Sequence, residues 1–89
     1  MYFVYILKCA DGSFYTGITT DLKRRFEEHK SGKGGRYTRA HGALRMLYRE
    51  KQKDRSSALK REAAIKRWGR ADKLALSRSR AHKPAPPRH

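Results

Sequence analysis

The chain is short of the usual staples of a small fold. Its 89 residues include one cysteine, Cys9, so no internal disulfide can form, and no Cys/His group has zinc-ligand spacing. No run approaches the ~18 to 20 apolar residues of a membrane span. The opening Met1-Tyr2-Phe3-Val4 puts no basic segment ahead of its short apolar stretch, unlike a secretory signal. A soluble protein of a reducing, cytoplasmic compartment is expected. Acidic residues are scarce as well: 8 Asp+Glu against 23 Lys+Arg leave a net +15 with histidines neutral. Such a charge repels itself in the compact state but suits a polyanionic partner, whose phosphates neutralise it as counterions are released. Composition thus names nucleic acid as the partner class and one small domain as the format. It leaves the chemistry open, because RNA binders, DNA-compacting proteins and nucleases share it.

Along the chain, Tyr2 to Lys8 and Phe14 to Thr19 are apolar and rich in β-branched and aromatic residues, with the turn dipeptide Asp11-Gly12 between them; they predict a β-hairpin. Thr20 or Asp21 caps a helix through Lys30 whose inner positions are Leu22, Arg25, Phe26 and His29. Two of those four are polar. Ser31 to Gly42, with four glycines among basic residues, lacks either hydrophobic period and reads as a long basic loop. Leu44, Met46 and Tyr48 alternate with Arg45, Leu47 and Arg49, predicting a third strand. Asp54 or Ser56 caps a helix to about Arg67, and a short helix follows over Ala71 to Leu76. The class is α+β, in the order β-β-α-β-α-α, with the domain over 1–76. Residues 77–89, basic and proline-rich, are expected to be a disordered tail.

The hairpin register decides which side chains share a face. A two-residue loop at Asp11-Gly12 would send Tyr5 and Tyr15 to opposite sides. A three-residue loop, Ala10-Asp11-Gly12 with Gly12 left-handed, pairs Leu7 with Tyr15 and Tyr5 with Gly17. That register is preferred. It gathers Tyr2, Val4, Ile6, Phe14, Thr16 and Ile18 on an apolar face, and it leaves room over Gly17 beside the Tyr5 phenol. On spacing alone the two tyrosines could be no more than a stacking pair.

The residues add up to a known pattern. Phe3-Val4-Tyr5, Tyr15-Thr16-Gly17, the helix Asp21 to His29 and the later Glu62 resemble, in order and spacing, the GIY-YIG nuclease superfamily. The likeness is greatest to its small stand-alone bacterial proteins, whose motifs are matched by Val4 to Leu7, Tyr15 to Thr19, Ser31 to Gly34, Tyr37 to Arg39 and Arg61 to Lys66. The resemblance covers Met1 to about Leu76. It implies a three-stranded antiparallel sheet flanked by helices and metal-dependent hydrolysis of DNA phosphodiesters, in DNA repair or processing, by one divalent ion, Mg²⁺ or Mn²⁺. Carried over by position, Tyr5, Tyr15, Arg25 and His29 are catalytic and Glu62 is the metal ligand. The chain holds no asparagine, so the late active-site asparagine of some members has no counterpart.

Phosphodiester hydrolysis needs an activated water, a cation on the phosphate and a proton for the leaving oxygen. Glu62 sits beside Ala58, Leu59 and Ile65 at helical spacing, where a carboxylate needs a partner. That partner is either Lys66, one turn on, or a Mg²⁺ ion that keeps several waters. Arg25 can offer its planar fork to a phosphate or snorkel along the core; His29 can hand over a proton or simply be satisfied by a hydrogen bond. An ordinary phenol titrates near ~10, and a metal and Arg25 would both favour its ionised form. Either tyrosine fits as base, with the other positioning the water. Lys33, Arg36, Tyr37, Arg39, Arg45 and Arg49 are the candidates for gripping nucleic acid. No base-reading module is evident, so weak sequence preference is expected, on DNA that is single-stranded or branched, with RNA also open. The protein is expected to act as a monomer and not at a membrane. The competing reading is a non-catalytic nucleic-acid-binding module that retains the fold.

Overall fold

The computed structural model describes residues 1–79. Tyr2–Cys9 forms β1 and Phe14–Thr19 forms β2. Between them the Cys9 amide donates to the Ser13 carbonyl at 2.8 Å, the Gly12 amide donates to Cys9 at 2.9 Å, and Gly12 has φ 88°. Positive φ is where glycine costs least. The Asp11 carboxylate accepts from the Ser13 amide and hydroxyl, fixing the turn. This is the three-residue loop preferred from the sequence, and Tyr5 lies opposite Gly17 and Leu7 opposite Tyr15.

Helix α1 spans Leu22–Lys30 and is capped by Asp21, whose carboxylate accepts from the Arg24 amide at 3.0 Å. Helix α2 covers Arg36–His41, strand β3 Ala43–Gln52, helix α3 Arg55–Lys66 and helix α4 Arg70–Ser79. Asp54 caps α3 through the Ser57 amide at 2.8 Å. All strand pairs are antiparallel in the order β2-β1-β3, so β1 is central and buries both its faces. On one face Val4 and Ile6 pack with Ala58 and Ile65 of α3 and Leu76 of α4, bordered by Tyr2, Phe14, Ile18, Leu47, Tyr48 and Trp68. The opposite face carries Tyr5, Leu7 and Cys9, each at most 1% exposed, and α1 and α2 cover it. Tyr48, Gln52 and Arg61 all donate to the Glu50 carboxylate, at 2.6 to 2.8 Å, tying β3 to α3.

Three details differ from the expectation. The basic segment 31–42 contains α2. Its inward residue is Thr38, 1% exposed, a polar side chain that leaves no hydrophobic period to read. In β3, Ile6 lies opposite Tyr48 and Leu7 opposite Met46, so Leu47 is the extra residue of a bulge. Leu47 and Tyr48 therefore both pack on the α3/α4 side, and Leu44, grouped with Met46 and Tyr48 by the period-two pattern, is 53% exposed. Finally, α4 runs past Leu76 to Ser79; the rest of the expected tail, residues 80–89, lies outside the described residues. Among the described residues no helix is long and apolar enough to cross a membrane.

Candidate active site

Tyr5 and Tyr15 project from β1 and β2 on the face covered by α1, with ring centroids 6.3 Å apart. They meet across Gly17, where a Cβ would lie 2.6 Å from the Tyr5 oxygen and 3.0 Å from the Tyr15 ring. Only a glycine lets the phenol pass there. Tyr5 is buried while Tyr15 is partly open to solvent.

The polar inner positions of α1 point at this pair. The Nε2 atom of His29 is 2.9 Å from the Tyr5 hydroxyl, and its Nδ1 is 2.7 Å from the hydroxyl of Thr38. His29 is 1% exposed, with its ring 5.2 Å from that of Tyr15. Arg25 donates from Nη1 to Glu28 Oε1 and from Nη2 to the Gly34 carbonyl, both at 2.8 Å. Its side chain remains 31% exposed, open to a ligand at the rim. Burial pushes the Tyr5 phenol up to about 12, against the smaller pull of the adjacent Arg25 guanidinium. Burial, and then the charge of Arg25, hold His29 below its usual value. At neutral pH the pair is a phenol and a neutral imidazole.

Glu62 lies on α3 between the buried Ala58 and Ile65; Leu59, read as part of the same apolar face, is 37% exposed. Lys66 Nζ stands 3.4 Å from Glu62 Oε2, and the carboxylate side chain is 18% exposed against 52% for the lysine. An exposed ammonium at that distance is a weak partner. The charge of Glu62 reaches Tyr5, where it disfavours the phenolate. Among the described residues no three His, Cys, Asp or Glu side chains cluster as a metal cage. A lone, half-sheltered carboxylate suits an ion that keeps most of its water and shares it with substrate phosphates, as Mg²⁺ does. It does not suit zinc.

The remaining candidates are all exposed. Lys33, Arg36 and Arg39 lie on or before α2. Tyr37 stacks on His41 at 4.1 Å and stands 5.6 Å from the ring of Tyr15, and His41 pairs through Nδ1 with the Asp11 carboxylate. Arg49 lies opposite Tyr5, on its face. The bulge at Leu47 puts Arg45 opposite Lys8, on the other side of the sheet and away from this group. The sequence reading missed Thr38, Gly34, Glu28 and the His41–Asp11 pair. Only the doubled glycine at 34–35 carried a signal: a Cβ on Gly34 would collide with the His29 ring.

Comparison with known proteins identifies the family and the fold. The family model for the GIY-YIG catalytic domain matches residues 1–75. A UPF0213 protein of Desulfotalea psychrophila is 53% identical over 76 residues, covering 84% of this chain and 69% of that one. The solution NMR structure of a UPF0213 protein from Bacillus halodurans superposes with TM-score 0.57 at 41% identity, covering 90% and 86% of the two chains. A second NMR structure, of an E. faecalis protein, gives TM-score 0.60 at 39% identity and covers 94% and 93%. On the match to the domain over residues 1–75 and on these identities, the chain belongs to the GIY-YIG family, among its small UPF0213 members.

Proposed function

We propose that this protein is a metal-dependent endonuclease that hydrolyses DNA phosphodiester bonds with weak sequence specificity, acting on single-stranded or branched segments during DNA repair or processing. The observation that carries the reading is the convergence of Tyr15, Arg25 and His29 on the Tyr5 phenol. A structural core would have filled those inward positions with aliphatic side chains. The active domain is residues 1–76, working as a monomer in the cytoplasm.

Glu62 is the residue that holds the divalent ion, Mg²⁺ or Mn²⁺, which supplies Lewis acidity and an acidified water when bound. Arg25, anchored by Glu28 and the Gly34 carbonyl, presents its remaining N–H groups to a nonbridging phosphate oxygen. Tyr5 takes the proton of the attacking water, because its oxygen alone of the two phenols touches a neutral imidazole. Tyr15 orients that water and carries the aromatic series Tyr15, Tyr37, His41 outward. Such an exposed series suits an unpaired base, since every base offers a π-face. Lys33, Arg36, Arg39 and Arg49 contact the sugar–phosphate backbone; Arg45, on the other face, contributes only to the general field.

The test is incubation with supercoiled and with single-stranded DNA in Mg²⁺ or Mn²⁺, then with EDTA. Expected are cleavage that EDTA abolishes and its loss in Glu62→Ala at unchanged affinity. Binding without cleavage under every metal condition would leave a non-catalytic nucleic-acid-binding module instead.

A further inference from the structure

Thr38 is a hydroxyl buried where nothing in the chemistry above employs it. It stands 2.7 Å from His29 Nδ1 and is 1% exposed. The other ring nitrogen faces the Tyr5 hydroxyl at 2.9 Å. A neutral imidazole has one N–H and one lone pair, so its two contacts are linked: whichever nitrogen donates, the other accepts. Gly34 lies against the ring. A Cβ at position 34 would lie 2.7 Å from Cγ and 2.8 Å from the His29 Cα, so only a glycine leaves the ring its place there.

We propose that Thr38 is a positioning residue: it accepts the Nδ1 proton of His29, so that Nε2 keeps its lone pair aimed at the Tyr5 hydroxyl and receives that proton during hydrolysis. As the water O–H bond breaks, its proton goes to the Tyr5 oxygen. In the same passage the original Tyr5 O–H bond breaks and that proton goes to Nε2. Tyr5 ends as a phenol, His29 as an imidazolium whose two N–H groups face Tyr5 and Thr38, and hydroxide is left to attack phosphorus. The imidazolium returns its proton to solvent or to the leaving oxygen in the next step. No free phenolate is needed, which removes the obstacle that burial sets against ionising Tyr5. The opposite tautomer would have Nε2 donate to Tyr5 and could accept nothing from it.

This step rests on the nuclease reading, but the tautomer does not. Long-range proton–nitrogen correlation spectra of the unmutated protein, without DNA or metal, should show His29 protonated on Nδ1; protonation on Nε2 would overturn the proposal by itself. Thr38→Val, similar in shape but unable to accept, should weaken that tautomer and lower kcat about tenfold, less than the roughly 10²-fold of a lost proton-transfer group because His29 itself remains. KM should not move. Thr38→Ser, which restores the hydroxyl, should recover both signals. A Thr38→Val protein with unchanged kcat, or a Thr38→Ser protein as impaired as Thr38→Val, would remove Thr38 from the role. If the unmutated protein binds DNA and never cleaves it, the nuclease reading falls together with the proton step, whichever tautomer is found.

Discussion

The Tyr5 oxygen occupies the space a side chain at position 17 would need: a Cβ on Gly17 would stand 2.6 Å from it. Real atoms do not approach so closely, so Gly17→Ala must displace the phenol or bend β2. Such overpacking typically costs about 1–3 kcal/mol of stability, and a shift near 1 Å in a reacting group costs on the order of 10²-fold in rate. Thermal unfolding and single-turnover cleavage of the variant are expected to show both losses with DNA affinity retained. A variant as fast as the parent would mean that Tyr5 is not at the chemistry.

The two tyrosines should separate when each loses only its oxygen. Tyr5→Phe keeps the packing and removes the group that touches His29; cleavage is expected to fall by about 10²-fold or more, the usual weight of a positioned proton acceptor. Tyr15→Phe keeps its ring contact with Tyr37 and should lose less. Metal-dependent cleavage measured at saturating DNA decides the ranking.

His29 gives the fold a pH dependence of known sign. Its pKa is lowered in the folded state, by burial first and by Arg25 second, so the unfolded chain takes up the proton earlier as pH falls. The stability tied to this group is complete above the unfolded value of about 6.5 and declines below it. Urea midpoints measured at about pH 7.5 and about pH 5.5 should fall further for the parent than for His29→Gln, which cannot titrate. Equal falls would contradict the assignment.

Tyr37 is 38% exposed and backed by His41, which Asp11 holds in place. Replacing it with alanine should weaken single-stranded DNA binding by about 1–3 kcal/mol, the range for one base stacked on an aromatic ring. Duplex affinity, carried by phosphate contacts, should hardly change. Fluorescence anisotropy on matched single-stranded and duplex oligonucleotides reads the difference, and an equal loss on both would remove the stacking role.

Residues beyond Ser79 include the cations Arg80, Lys83 and Arg88. A chain ending at Ser79 keeps Leu76 and the whole of α4, so the core is untouched. If those three cations meet phosphates, the slope of log affinity against log salt should shrink by up to about 2 to 3 units. An unchanged slope would show that the grip lies wholly in the domain.

Much of this was legible before any coordinates. Local turn chemistry and period-two patterning were enough for the hairpin, because Asp11-Gly12 and the glycine at 17 leave one register in which the apolar residues agree. Arg25 and His29 stood out because they are polar where α1 needs an apolar stripe. What stayed hidden depends on contacts between segments far apart in the chain. The bulge at Leu47 answers to the packing of α3 and α4, and it moved Arg45 off the face of Arg49. Helix α2 was invisible because its inward residue is a threonine whose partner, His29, is nine positions away.

That short helix also divides the molecule into parts that open separately. It has six residues, and its N-terminus begins at Gly35 with no side-chain cap, well short of the length that sustains a helix by itself. Strand β1, bonded on both edges, is expected to be among the last segments to exchange its amides, while α2 is placed to open at far smaller cost. Each excursion of α2 withdraws Thr38 from His29 and Tyr37 from Tyr15 together. Tyr5 and Gly17, held by the sheet, stay where they are. On the proposed reading Tyr5 is therefore built to last, while the contact that positions His29 and the ring offered to an unpaired base come and go together, which ties turnover to the breathing of one short helix.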